Sequence, residues 1–147
     1  MEIKEVKTNK KRYLSLLLSA DEQEDLIDRY LERGTMYALE DHGIKGECVV
    51  TDEGDGILEI KNIAVTSADQ RKGYGKALIH FIVETYRQNF SVLQVGTGDS
   101  PLTVPFYEKC GFTRSHRIKN FFPVNYDHPI YEAGVQLVDM IYLKMKL

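Results

Sequence analysis

The apolar positions change period several times along the chain, and each change marks an element. Ile3 to Val6 alternates as a short strand. From Lys10 to Ala20, and again from Asp21 to Arg33, the spacing becomes helical. Leu26, Ile27, Tyr30 and Leu31 share one face of the second helix, and Gly34 stands where a helix commonly ends. Thr35 to Glu40, Gly46 to Thr51 and Gly56 to Val65 then read as strands. His42-Gly43 and Asp52 to Gly56 supply the turns, so a consecutive antiparallel meander is expected. Beyond Lys76 a strong helix presents Ala77, Leu78, Phe81, Ile82 and Thr85 as its buried face. Val92 to Val95 is a strand that Gly96-Thr97-Gly98 is expected to break. A short helix up to Cys110 follows, capped by Ser100-Pro101 and stopped by Gly111. A start at Thr103 or Val104 keeps Pro105 where its missing N–H does no harm. Phe112 to Ile118 and Gln136 to Lys146 are the last strands, with an irregular, aromatic-rich stretch from Asn120 to Gly134 between them.

The strand ending at Val65 carries a phase slip. Leu58 and Ile60 alternate with Glu59 and Lys61, but Ile63 and Val65 continue the apolar series on the other parity. Either the strand is buried on both faces, or one extra residue near Lys61-Asn62 forms a β-bulge. A bulge leaves main-chain groups unpaired, and such groups can hold an extended ligand.

Composition narrows the class. A chain of 147 residues with 43% hydrophobic and 28% charged residues fits one globular domain, residues 1–147, with no repeat or linker. A balance of 19 basic against 22 acidic residues, net −3, argues against a nucleic-acid partner. An anionic ligand must therefore meet a local array of donors. No segment approaches the roughly 18 apolar residues of a membrane span. Lys10-Lys11-Arg12 before Tyr13 to Ala20 imitates a secretion leader, but Ser15 and Ser19 interrupt the apolar run and an amphipathic helix is expected. Cys48 and Cys110 read as free thiols and place the chain in the cytoplasm. The four histidines show no metal-ligand spacing, so no metal site is expected.

The strongest chemical signal runs from Ile63 to Leu78: a strand, a turn with Gly73 and Gly75, and a helix. Glycines there let several amides converge on a helix N-terminus, where unpaired N–H groups and the helix dipole favour an anion. Arg71, Lys72 and Lys76 add local charge, and a pyrophosphate suits the arrangement. It is not a P-loop, because Ala77 follows Gly75-Lys76 where a hydroxyl is required. It is not a dinucleotide fingerprint either, since Leu78 takes the place of the third glycine. Two glycines that merely shape a turn remain the plain alternative.

Gln70-Arg71-Lys72-Gly73-Tyr74-Gly75, preceded by Ile63-Ala64-Val65, resembles the Q/R-x-x-G-x-G/A signature of the GNAT superfamily of acetyl-CoA-dependent N-acetyltransferases. Phe106-Tyr107-Glu108-Lys109-Cys110-Gly111-Phe112 is similar to a second segment of that family, and the order of elements agrees along almost the whole chain. Ser100 and Thr103 stand where the family usually has asparagine and alanine. The resemblance implies an α/β fold with a mixed, mostly antiparallel sheet of about seven strands, splayed at the cofactor and flanked by about four helices.

It also implies roles. Main chain of Ile63, Ala64 and Val65 would pair with the pantetheine arm of acetyl-CoA. Gln70, Arg71, Lys72, Gly73, Tyr74, Gly75 and Lys76 would hold the pyrophosphate, with Ser100 at the far end. Tyr107 would protonate the departing thiolate, its alternative being a packed aromatic beside Phe106. Glu59 would help deprotonate the amine, its alternative being an exposed residue of an alternating strand. His116 and His128 are further candidates for the base. A Cys110 acyl-enzyme has no evident activating partner. The acceptor, a primary amine of a small molecule or of a protein or peptide, is expected against the early helices and residues 120–132. Asp127 and Glu132 would hold its ammonium, and Phe121, Phe122 and Tyr126 would wall it. The same aromatics could join two subunits of a homodimer. A non-catalytic acyl-CoA-binding sensor on the same fold is the rival reading.

Overall fold

The computed structural model describes all residues, 1–147. The chain runs β1 (Glu2–Val6), α1 (Leu14–Ala20), α2 (Glu24–Asp28), β2 (Thr35–Glu40), β3 (Ile44–Asp52), β4 (Ile57–Val65), α3 (Tyr74–Tyr86), β5 (Val92–Gly98), α4 (Thr103–Lys109), β6 (Thr113–Ile118), α5 (Phe121–Asn125), β7 (Tyr131–Glu132), β8 (Val135–Gln136) and β9 (Met140–Lys146). Seven strands form one sheet in the order β1-β2-β3-β4-β5-β9-β6, and β7 and β8 make a separate hairpin. Every neighbour in the large sheet is antiparallel except β4 and β5.

Both faces of the sheet are covered. On one, Leu78, Ile79 and Ile82 of α3 and Val104 and Tyr107 of α4 pack on Leu58, Ile60, Leu93, Val95, Ile141 and Leu143. On the other, Leu17 of α1 and Ile27, Tyr30 and Leu31 pack on Val6, Met36, Ala38 and Val49. Fully burying an aliphatic side chain of this size contributes about 1.5–3 kcal/mol. The two layers therefore supply the main cohesion of the domain.

Several expected boundaries move. Lys10–Tyr13 is a 3-10 turn and not the first turn of a helix. The Lys10 ammonium is turned inward and donates to the carbonyls of Leu31 at 2.9 Å and Gly34 at 2.8 Å, tying the chain before α1 to the end of the second helical segment. That segment is regular only over Glu24–Asp28 and continues as turns to Gly34. Its expected apolar face, Leu26, Ile27, Tyr30 and Leu31, is buried nonetheless. Thr85 is exposed, and its hydroxyl donates to the Phe81 carbonyl, while Ile79 takes the buried place. The stretch expected to be irregular contains α5 and the β7–β8 hairpin, and Gln136 belongs to β8, not to the last strand.

Gly96-Thr97-Gly98 does not break β5. The strand continues through them, paired with Tyr142, Ile141 and Met140 of β9. The glycines serve close approach: a Cβ on Gly96 would lie 2.6 Å from Met140 Sδ, and one on Gly98 would lie 2.5 Å from Leu137 Cδ1.

Candidate active site

The phase slip in β4 is a bulge. Val49 of β3 faces Asn62, but the next residue, Val50, faces Ile60, so Lys61 is the extra residue. The pairing of β4 with β5 ends at the same level. It runs from Ile57–Val92 to Ile60–Val95 and stops. Beyond that point β4 stays with β3 as far as Val65, and β5 stays with β9 as far as Gly98. The two parallel strands diverge and open a wedge in the middle of the sheet.

Main-chain polarity in the wedge follows from the ladder. The Thr66 N–H donates to the Lys45 carbonyl at 2.9 Å. Alternate residues of an antiparallel strand turn their polar groups to opposite sides. Ala64 therefore faces β3, while Ile63 and Val65 turn their N–H and C=O groups into the wedge. Gln70 Nε2 reaches the Val65 carbonyl at 3.3 Å from that open side.

At the end of β4 the chain passes through a short 3-10 turn, Ser67–Asp69, into α3. Asp69 organises this turn, accepting from Thr66 Oγ1 at 2.6 Å and from Lys72 Nζ at 3.1 Å. Arg71 and Gly73 both adopt left-handed backbone, with φ of 65° and 89°. Gly73 is the N-cap of α3, no side chain caps the helix, and the first helical bond joins Ala77 N–H to the Gly73 carbonyl. The amides of Tyr74, Gly75 and Lys76 are thus without helical partners. Gly75 permits the close approach of α4: a Cβ there would stand 3.1 Å from Phe106 Cζ. The Tyr74 hydroxyl is committed to Asp41 at 2.8 Å, which leaves its amide as the group available to a ligand.

A cavity of about 370 Å³ extends from the wedge. Ile63, Ala64, Val65 and Gln70 line one side, Gly96, Thr97, Gly98 and Thr103 another, and Tyr107 sits between them. Tyr107 is 6% exposed. It packs edge-on against Phe106 and Phe112. Burial pushes its phenol above the ordinary range, with no hydrogen bond to another side chain to offset this, so it remains a proton donor at neutral pH.

The far end of the cavity is acidic and aromatic, with Asp21, Glu22, Phe122, Tyr126 and Glu132 in its wall. Asp21 accepts from Tyr126 at 2.6 Å and from Tyr30 at 3.0 Å. Asn62 donates from Nδ2 to the Tyr30 hydroxyl at 3.1 Å and to the Leu17 carbonyl at 3.0 Å. Burial raises the Asp21 carboxyl, and the two tyrosine hydroxyls work against that rise. Glu132 is likewise raised by burial, opposed by a hydrogen bond from Ser100.

A family profile described as an acetyltransferase (GNAT) domain matches residues 32–114, a span holding the bulge, the glycine turn and Tyr107. The chain belongs to the GNAT acetyltransferase family. Among the relatives of this GNAT enzyme, an uncharacterized N-acetyltransferase of Bacillus subtilis, YvbK, is 37% identical over 143 residues, covering 95% of this chain and 92% of that protein. A GNAT acetyltransferase of Elizabethkingia anophelis, solved with acetyl-CoA bound, superposes with a TM-score of 0.94 at 35% identity, covering 99% of this chain and 97% of that one. A structure named IAA acetyltransferase, from Bacillus cereus, gives 0.92 at 37% identity, with 99% of both chains covered. Acetyl-CoA is the co-substrate of the family, and the residues present fit it: unpaired main chain in the wedge, uncapped amides at α3, and glycines where the walls come close.

The structure sorts the expected site residues of the GNAT enzyme. Ile63, Ala64, Val65, Gln70 and Tyr107 meet in the cavity, and the turn from Arg71 to Lys76 lies beyond its lining. Ser100 is buried, and its hydroxyl accepts from the Leu102 N–H at 3.1 Å, so it caps the turn before α4. Glu59 is neither exposed nor in the cavity wall. It is 4% exposed, bonded by Gln94 Nε2 at 2.6 Å and paired with Lys61 Nζ at 2.7 Å. His116 stacks on Tyr142 at 4.8 Å on exposed β6. Neither His128 nor Asp127 is in the cavity wall; His128 pairs with Asp127 and with Glu22, which does line the cavity. Phe122 and Tyr126 line the cavity, whereas Phe121 packs behind them. Burial raises the Cys110 thiol, which disfavours a thiolate nucleophile. No group of three or more His, Cys, Asp or Glu side chains is placed to hold a metal ion. No helix is long and apolar enough to cross a membrane.

Asn62, Asp21 and Glu22 are polar residues of the wall to which sequence reasoning assigned no role. The one local signal was the position of Asp21 at the joint between two helical patterns. Nothing local pairs it with Tyr126.

Proposed function

We propose that this GNAT enzyme transfers the acetyl group of acetyl-CoA by direct attack to the primary amine of a small, positively charged acceptor. The observation that carries this reading is the wedge: main chain of Ile63 and Val65 that no strand pairs, Tyr107 and an acidic, aromatic wall all line one cavity. Acetyl-CoA supplies the acetyl group as an activated thioester. The amides of Tyr74, Gly75 and Lys76 hold the pyrophosphate, helped by the α3 dipole. The main chain of Ile63 and Val65 aligns the pantetheine arm like an added strand. Tyr107 donates its proton to the departing sulfur.

The acceptor enters past Asp21, Glu22, Phe122 and Tyr126, which match an ammonium on a short organic body. Glu132 shares the cavity with Tyr107, and burial raises its carboxyl, which makes it a stronger proton acceptor for the amine than an exposed carboxylate. Glu59, bonded to Gln94 and Lys61, supports the floor of the wedge instead. A panel of primary amines incubated with enzyme and acetyl-CoA tests the reading, with free CoA and acetylated product followed by mass spectrometry. Product from cationic small amines is expected; CoA release at background across the panel would reject it.

Two free cysteines support a reducing, cytoplasmic setting. Val124, Tyr131, Val135 and Val138 stay exposed around α5 and the hairpin and support a homodimer through that surface, which light scattering of the purified protein tests.

A further inference from the structure

Glu47 lies on β3 with no exposed surface, and neither of its carboxylate oxygens has a hydrogen-bond partner. Asn62, 3% exposed on β4, has an unpartnered Oδ1. Three orphaned acceptor atoms are costly when scattered and informative when adjacent. The register makes these adjacent. Glu47 faces Ala64 and Val49 faces Asn62, so Glu47 and Asn62 are diagonal neighbours on the face that α1 covers.

The Asn62 amide cannot turn over to offer N–H to Glu47. Both of its Nδ2 hydrogens are committed, to Leu17 and to Tyr30. Only its oxygen remains for Glu47. An ionised Glu47 would set a desolvated charge against that oxygen. Burial is the dominant influence on its carboxyl, the nearby Ala64 amide belongs to the β3–β4 ladder, and no cation stands near it. Tyr30, the other polar side chain at this joint, already donates to Asp21.

We propose that Glu47 stands as the neutral carboxylic acid and donates its proton to Asn62 Oδ1, acting as a positioning residue for the acceptor wall. One proton then satisfies two of the three orphaned atoms. The resulting chain has a single direction. Glu47 donates to Asn62, Asn62 to Tyr30, and Tyr30 to Asp21, where Tyr126 also arrives. Every donor points toward Asp21, and the hydroxyls of Tyr30 and Tyr126 favour its charged form against the burial that opposes it. The function of this chain as an acceptor wall rests on the reading of the cavity above; the protonation state of Glu47 does not.

Infrared difference spectroscopy of the full chain, wild type minus Glu47→Gln, tests the assignment without any acceptor. A carbonyl band of a protonated, hydrogen-bonded carboxylic acid is expected at neutral pH. It should shift in D₂O and vanish in Glu47→Gln. The amide of Gln can also donate to Asn62 Oδ1, so Glu47→Gln should keep the wild-type denaturation midpoint and the Asn62 side-chain amide signals in a ¹⁵N–¹H spectrum. Glu47→Leu, which cannot donate, should lose both. Absence of the band, or a Glu47→Gln variant as impaired as Glu47→Leu, overturns the proposal. If Glu47→Leu does not fold, the band and the Gln variant decide alone. A positive band with no amine turned over would fault the acceptor reading and not this one.

Discussion

The Tyr126 hydroxyl donates to Asp21 Oδ1 at 2.6 Å across a sequence separation of 105 residues. This bond closes the far end of the cavity by joining the start of the second helical segment to the loop after α5. Removing it leaves a partly buried carboxylate short of one charge-assisted donor. Tyr126→Phe should therefore destabilise the fold by about 1–2 kcal/mol and raise KM for the best amine roughly three- to tenfold. Affinity for CoA should not change. Steady-state kinetics with calorimetry of CoA binding checks the split.

Tyr107 keeps its proton because it is buried, and it lines the same cavity as Ile63 and Val65. Tyr107→Phe should lower kcat about a hundredfold or more while leaving CoA affinity within about twofold. Equal turnover in the two proteins would remove it from the role of acid.

Gly73 holds φ at 89°, and a Cβ at this position would have no atom within 4 Å, so a side chain there meets strain and not a clash with the protein. Gly73→Val should cost about 1–2 kcal/mol of stability from the left-handed backbone. It should also weaken CoA binding by more than roughly tenfold, because the branched side chain stands where the phosphates approach. Calorimetry on the folded variant separates the two effects.

The base assignment has a pH signature. A carboxyl raised by burial accepts a proton only above its shifted pKa, so kcat/KM should rise with pH through a limb above the ordinary carboxylate range. Glu132→Gln should flatten that limb and lower activity. Glu59→Gln should leave the limb in place. A limb that disappears in Glu59→Gln instead would return the role to Glu59.

Much of the fold was readable because its signals are local. The phase slip marked residues 61–62 as the place of a bulge or of burial on both faces, and the ladder shows the bulge at Lys61; Gly73 with Gly75 reported the turn into α3. Gly96 and Gly98 misled for a physical reason: a glycine that breaks a strand and a glycine that admits a neighbour's side chain look alike. The difference lies in Met140 and Leu137, which arrive from a distant strand and loop. The burial of Glu59 was hidden in a similar way. Its alternation with Leu58 and Ile60 suited either an exposed residue or a base, but Gln94 and Lys61 close over it.

What the sequence determined by itself is the order of most elements, the place of the irregularity in β4 and the glycine-bearing entry to the long helix, because those depend on backbone preference and periodicity within a few residues. What only the tertiary structure decided is which acids line the cavity and which are sealed away. Asp21, Glu47, Glu59 and Glu132 carry the same functional group. Their roles diverge because burial and hydrogen-bond partners drawn from remote segments set the charge and access of each one.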